Sequence, residues 1–202
     1  QQLIEAGDNT ELFSIVRIDP TLVELTVAVD EAIPQTVSSW QEELAATVVI
    51  NGSYFDEEYA LVTRTVVAGE PYGPLLSGQT GSFTKHQGRW IITNDASALG
   101  DIAMQSYPIL VLDGAAQVDT TSTDTAQRTV VALDQSGLVY LIICEYGVFT
   151  LTELSAALAE LSDPTLVSAL NLDGGTSTGL SIQSEAVRYL DDSLVVPSVV
   201  AI

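Results

Sequence analysis

The stretch QRTVVALDQSGLVYLIICEYG, residues 127–147, constrains the fold more than any other part of the chain. Two apolar runs rich in β-branched residues flank DQSG, which is the pattern of a β-hairpin. No charge interrupts residues 129–133 or 138–144, so both runs read as apolar strands. Cys144 lies inside the second run and is the only cysteine, so it cannot form an internal disulfide. A buried, inert thiol is favoured there over a nucleophile.

Other segments follow the same logic. LFSIVRIDP and TLVELTVAVD predict two strands joined at Pro20, and ATVVIN predicts a buried strand running into GSYFD. Val37, Trp40 and Leu44 fall on one face of a short helix in TVSSWQEELA. Thr150 and Glu153 have capping-box spacing, and Leu151, Leu154, Leu158 and Leu161 form an apolar stripe on a second helix ended by Asp163-Pro164. Between Ala60 and Val118 lie short strand-like pieces, including FTKHQGRW with a hairpin turn at Gln87-Gly88; TLVSALNLD and LVVPSVVAI are further strands. There is no internal repeat and no linker composition. At 202 residues the chain predicts one α+β domain over 1–202, a mixed or antiparallel β-sheet with two main helices. Trp40 and Trp90 are expected in the core rather than as sugar platforms.

Six Lys and Arg against 27 Asp and Glu give a formal net charge of −21, and Lys85 is the only lysine. Such a field disfavours nucleic acid and anionic membranes, both of which require basic patches. No apolar run approaches the ~20 residues that span a bilayer, so no membrane insertion is expected. The chain begins QQLIEAGDN without Met, which suggests a processed terminus and a secreted or cell-surface setting with any signal peptide already removed. An anionic substrate could bind only where a local cation or a group of N–H donors overrides the repulsion.

Two strand ends share a chemical character. VVINGSYFD carries Asn51 and Gly52 just past an apolar run, and ALNLDGGTST carries Asn171, Asp173, Gly174 and Gly175. Glycine at such a corner permits positive φ and lets N–H groups approach a ligand, although an ordinary turn has the same composition.

These motifs, with TVSSWQEELAATVVINGSYFD, SYPILVLDG, QRTVVALDQSG, TLTELSAALAEL, ALNLDGGTSTGL and the terminal VPSVVAI in this order, resemble the phosphodiester glycosidase domain family over residues 36–202. Its best-known member removes N-acetylglucosamine from phosphodiester-linked mannose, and bacterial relatives include exopolysaccharide-related proteins. Ser53 and Thr176 stand where the family usually has glycine. The resemblance implies a hydrolase of carbohydrate metabolism that cleaves a sugar C1–O–phosphate bond in a glycan or cell-envelope polymer. Its partner would be a glycan or sugar-phosphate substrate.

Hydrolysis at C1 passes through an oxocarbenium-like state normally served by two carboxylates, but a phosphate monoester is already a good leaving group. One carboxylate beside a phosphate cradle could therefore suffice. Asp173 is the candidate carboxylate, with capping of its own turn as the alternative. Arg128 matches the family's arginine and could fork two hydrogen bonds to phosphate, or it could be a surface arginine. Asn51 could position a sugar hydroxyl or water, and Glu145 is a candidate second carboxylate against a solvated strand-end role. Gly52, Tyr54, Gly174, Gly175, Thr176, Ser177 and Thr178 are the expected substrate- and phosphate-binding positions. Lys85 and His86 form either a cationic lid or an exposed turn. No HExxH, CxxC or EF-hand pattern occurs, so no dedicated cofactor or metal site is signalled. Ca2+ at Asp56, Glu57 and Glu58 remains an alternative to a solvated acidic run. A non-catalytic glycan- or Ca2+-binding surface module on the same scaffold is the competing function.

Overall fold

The computed structural model describes residues 1–78, 80–95 and 98–202. Strands are numbered in chain order. The central hairpin, β12 (Arg128–Asp134) and β13 (Val139–Cys144), lies inside a seven-stranded sheet. That sheet also contains β1 (Gln2–Ala6), β2 (Asn9–Ile18), β10 (Ile109–Leu112), β11 (Ala115–Ala116) and β14 (Leu166–Asn171), in the order β1-β2-β13-β12-β14-β10-β11. Both faces of the hairpin are covered, which explains its unbroken apolar runs. Val131, Leu133, Leu141 and Ile143 join the largest core cluster, while Val130, Ala132, Ile142 and Cys144 pack on the opposite side with Leu154 and Leu158. Those leucines belong to α2 (Leu151–Glu160).

The capping box of α2 is formed. Thr150 Oγ1 accepts from the Glu153 N–H at 3.2 Å, and Glu153 Oε2 accepts from the Thr150 N–H at 2.8 Å. Leu154 and Leu158 are fully buried, each contributing about 1.5–3 kcal/mol from the area removed from water.

A second sheet runs β16 (Arg188–Asp191), β15 (Leu180–Gln183), β4 (Val48–Asn51), β17 (Ser198–Ala201) and β3 (Thr26–Val29). Along β4, Val48 and Ile50 enter the largest core cluster, and Val49 packs on the other side with Val37 and Trp40. The latter two lie on α1 (Val37–Leu44), which is capped by Thr36. Trp40 Nε1 donates to the Val196 carbonyl at 3.0 Å, so the indole is buried without losing its hydrogen bond. The third sheet runs β6 (Glu70–Tyr72), β5 (Thr65–Val67), β9 (Ala103–Ser106), β7 (Gly81–His86) and β8 (Arg89–Thr93). Phe83 and Trp90 stack at 4.4 Å and, with Met104, complete the core shared with the other two sheets.

The α+β expectation therefore holds only coarsely. The chain is mostly β, with three sheets in place of one, and every pairing among the described strands is antiparallel. The two helices fall where periodicity puts them. The N-terminal residues form β1, which no sequence signal had marked, and only Thr26–Val29 of the second predicted strand is extended in a sheet. No helix among the described residues is long and apolar enough to cross a membrane.

Candidate active site

Two strand ends from different sheets meet. β4 ends at Asn51 and β14 ends at Asn171, and the main chains beyond them are joined where the Asp173 N–H donates to the Gly52 carbonyl at 3.1 Å. Asn51 is fully buried. Its Nδ2 donates to the Asp173 carbonyl at 2.9 Å, while its Oδ1 accepts from Thr129 Oγ1 at 2.7 Å and from the Gly179 N–H at 3.1 Å. With these bonds made, Asn51 is a bracket that positions the acid-bearing turn.

The glycines act by two different means. At Gly52 a Cβ would overlap Ser198 Oγ and lie 2.8 Å from both the Ser198 carbonyl and Met104 Cε. At Gly174, whose φ of −134° is extended, it would sit 2.7 Å from the Gln127 carbonyl. Space, not handedness, requires glycine at both positions. Gly175 alone of the three has positive φ, +61°, and a Cβ there would meet nothing within 4 Å.

Asp173 lies in this turn with its carboxylate partly buried. Burial pushes its carboxyl above the usual value, against hydrogen bonds from the Ser177 side chain and the Gly174 N–H, the latter 2.8 Å from Oδ1. The Gly174 bond is the turn-capping contact weighed for this residue, so Asp173 both caps its turn and holds a perturbed acid. The β12–β14 register sets Val130 opposite Asn171, and the Leu172 N–H donates to the Thr129 carbonyl at 2.8 Å. Beyond that pair the ladder shifts, since it is the Gly175 N–H that donates to the Gln127 carbonyl. Arg128 lies against the acid-bearing turn: a Cβ on Gly174 would sit 3.5 Å from Arg128 Cδ and 3.7 Å from its Cα. The guanidinium Nε is buried with no hydrogen-bond partner, and a terminal N–H reaches only the Asp124 carbonyl at 3.5 Å. A cation so loosely engaged in a chain of net charge −21 is available to an anion.

Tyr54 and Tyr107 wall the site. Their rings stack at 4.5 Å, and Tyr54 Oη accepts from Asn171 Nδ2 at 2.6 Å and donates to the Tyr107 carbonyl at 3.2 Å. Burial and the nearby Asp173 charge raise the Tyr54 phenol well above its ordinary value, so it stays protonated. Arg128 opposes that shift, so the phenol feels both the acid and the guanidinium. Asn171 is fully buried and its Oδ1 has no partner. Asn171, Tyr107 and Thr129 were not assigned roles from sequence. The Tyr-Pro dipeptide and the Asn two residues before Asp173 were the available signals.

The remaining positions separate. The N–H of Gly52 is bonded to the Ser198 carbonyl, that of Gly175 to the Gln127 carbonyl, and those of Ser177 and Thr178 close the short 3-10 turn Gly175–Ser177. Most of the expected row of backbone donors is thus engaged within the protein, and the Ser177 hydroxyl is spent on the Asp173 carboxylate. This leaves the Arg128 guanidinium and the exposed Thr176 side chain open to an anion. Thr176 is exposed, whereas Thr178 is buried, 3.4 Å from Thr129 Oγ1. Ser53 points its hydroxyl away to Thr63 and the Gln105 carbonyl.

Glu145 makes a separate cluster. Its carboxylate accepts from Ser14, from Tyr189 Oη at 2.7 Å and from Gln1 Nε2 at 2.8 Å, and none of these bonds Asp173. Burial pushes the Glu145 carboxyl up, but those hydrogen bonds more than offset it and hold it below the usual range. Lys85 and His86 line a different shallow depression with Gln87 and Gly88. Asp56 caps its own turn through the N–H groups of Glu58 and Ala60, and among the described residues no group of three or more His, Cys, Asp or Glu is arranged to hold a metal. Cys144 is fully buried, and burial pushes its thiol up.

The fold and this corner define a class of protein. Residues 45–202 match the family model described as phosphodiester glycosidase, and the chain belongs to that family. Among solved structures, the zebrafish N-acetylglucosamine-1-phosphodiester alpha-N-acetylglucosaminidase catalytic domain auto-inhibited by pro-peptide superimposes with a TM-score of 0.71 at 15% identity, covering 100% of this chain and 86% of that one. A Synechocystis protein gives a TM-score of 0.69 at 14% identity, covering 100% of this chain and 61% of that one. A Burkholderia pseudomallei protein gives 0.57 at 11% identity, covering 95% and 74%. No curated protein matches the sequence.

Proposed function

We propose that this chain is a secreted or cell-surface hydrolase that cleaves the C1–O–phosphate bond of a sugar-1-phosphodiester in a glycan or cell-envelope polymer. The observation that carries this reading is the placement of Asp173 and Arg128 around one turn beside Tyr54, at a corner braced by Asn51. In the proposed reaction the phosphodiester lies against the Arg128 guanidinium, with the exposed Thr176 hydroxyl adding an anion contact, while the Ser177 hydroxyl stays on the Asp173 carboxylate. The C1–O bond breaks and the phosphate monoester leaves with the bonding electron pair. Water adds its oxygen to C1, and its proton passes to the Asp173 carboxylate, whose burial-raised basicity suits a general base. Positive charge on the sugar is stabilised by the same carboxylate. With Glu145 bonded elsewhere, one carboxylate serves the reaction, in keeping with a leaving group that needs little protonation.

The test is turnover of a panel of sugar-1-phosphodiesters by wild type, Asp173→Asn and Arg128→Ala. Wild type should turn over at least one. Asp173→Asn should lose about 10²–10⁴-fold in kcat, and Arg128→Ala about 10²–10³-fold. Activity that survives both substitutions would remove this site assignment. Sugar binding by wild type without any turnover would favour a glycan-binding module.

A further inference from the structure

A groove of about 370 Å3 lies beside the site, within the range typical of small-molecule pockets, and none of the residues assigned above to the reaction lines it. We infer that this groove is a subsite for a neutral sugar unit of the substrate, continuous with the Asp173 corner; the inference rests on the glycan reading of that corner.

Two segments connect groove and corner. Pro108 lines the groove, and its carbonyl accepts from the Asn171 N–H at 3.0 Å. The preceding Tyr107 stacks on Tyr54 and receives Asn171 Nδ2 on its carbonyl at 3.1 Å. On the other side, Asp119 and Thr120 line the groove and begin the segment whose Asp124 carbonyl meets Arg128. A polymer bound with its phosphate at Arg128 and a sugar in the groove would run past Tyr107, which keeps 38% of its surface exposed.

The lining specifies the ligand class. Asn94, Gln117, Thr80 and Thr120 contribute amides and hydroxyls, Asp119 contributes the one charge, and no cation is present among the described lining residues. A phosphate would be repelled, whereas a neutral polyhydroxylated ring would find donors and acceptors. Thr80 Oγ1 accepts from Gln105 Nε2 at 3.1 Å, leaving its hydrogen to donate, and Gln117 Nε2 is fixed on the Ala115 carbonyl at 3.0 Å. Anion and neutral sugar are thus sorted into adjoining sites by charge alone.

The experiment is NMR titration of the full chain, labelled with ¹⁵N, with maltose, cellobiose, lactose and N,N′-diacetylchitobiose, following the side-chain amides of Asn94 and Gln117. At least one sugar should shift both. Thr120→Trp, which fills the groove, should raise the apparent Kd at least tenfold. Asn94→Ala, at an exposed position, should raise it about fivefold, the worth of one hydrogen bond, and reads the groove even if the tryptophan variant does not fold. If no sugar moves these amides, or both variants bind unchanged, the subsite is overturned. Turnover of a small sugar-1-phosphodiester by wild type without any such shifts sinks the subsite alone. Shifts without turnover sustain the subsite and sink the enzyme reading.

Discussion

The Asn51 side-chain amide, at the end of one sheet, holds the main-chain carbonyl of Asp173, at the end of another, at 2.9 Å. The acid's position is therefore set by a residue 122 positions away that never needs to touch substrate. Asn51→Ala leaves the Asp173 carbonyl, the Thr129 hydroxyl and the Gly179 N–H without this partner in a dry interior. Equilibrium denaturation should show a loss of about 2–3 kcal/mol. Activity should fall with it, while Arg128→Ala should leave stability nearly unchanged. An Asn51→Ala protein of wild-type stability would show that the bracket carries no weight.

Gly52 and Gly175 should respond differently to alanine. Gly52→Ala drives a methyl into the Ser198 carbonyl and Met104, and overpacking of this kind costs about 1–3 kcal/mol. Gly175→Ala meets open space and bears only the left-handed backbone penalty, about 1 kcal/mol. Urea midpoints of the two variants provide the comparison, and equal losses would mean that space is not what Gly52 provides.

Asp173 has a raised carboxyl, so the stability it contributes is present when it is protonated, below the ordinary value of 3.8, and is lost as pH rises through the folded value. Asp173→Asn removes the ionised form. Thermal unfolding should show the variant more stable than wild type at pH 7, with the difference vanishing near pH 3. A less stable variant at pH 7 would mean that the ionised acid is favourably held.

Glu145 carries the opposite sign. Its carboxyl is depressed by its hydrogen bonds, so its contribution is present above the ordinary value of 4.5 and lost as pH falls through the folded value. Glu145→Gln should lower the melting temperature at pH 7 and converge on wild type at acid pH. It should also leave turnover at Asp173 within a fewfold of wild type, because its bonds run to Ser14, Tyr189 and Gln1.

Arg128→Lys keeps the charge but not the planar fork. If phosphate is held by two parallel N–H bonds, kcat/KM should fall at least about tenfold while the unfolding midpoint stays within about 0.5 kcal/mol of wild type. A lysine variant with full activity would reduce Arg128 to a point charge.

Local patterns carried much of the architecture. The Thr150–Glu153 box, the Val37–Trp40 face, the turn at Gln87-Gly88 and the 127–147 hairpin are each decided by residues a few positions apart, so periodicity and turn chemistry suffice to read them. β1 was not legible, because QLIEA alternates only weakly and becomes a strand by pairing with β2.

By itself, the sequence determined the two helices, the buried hairpin, the corners bearing Asn51 and Asp173, and a charge that leaves few cations for any anion. Tertiary structure alone decided that those corners touch, that Arg128 lies against the turn bearing Asp173, that most of the backbone donors are already engaged and that Glu145 belongs to another cluster. The reason is physical: hydrogen-bond partners more than a hundred residues apart are chosen by how three sheets close over a shared core, and no local periodicity encodes that closure.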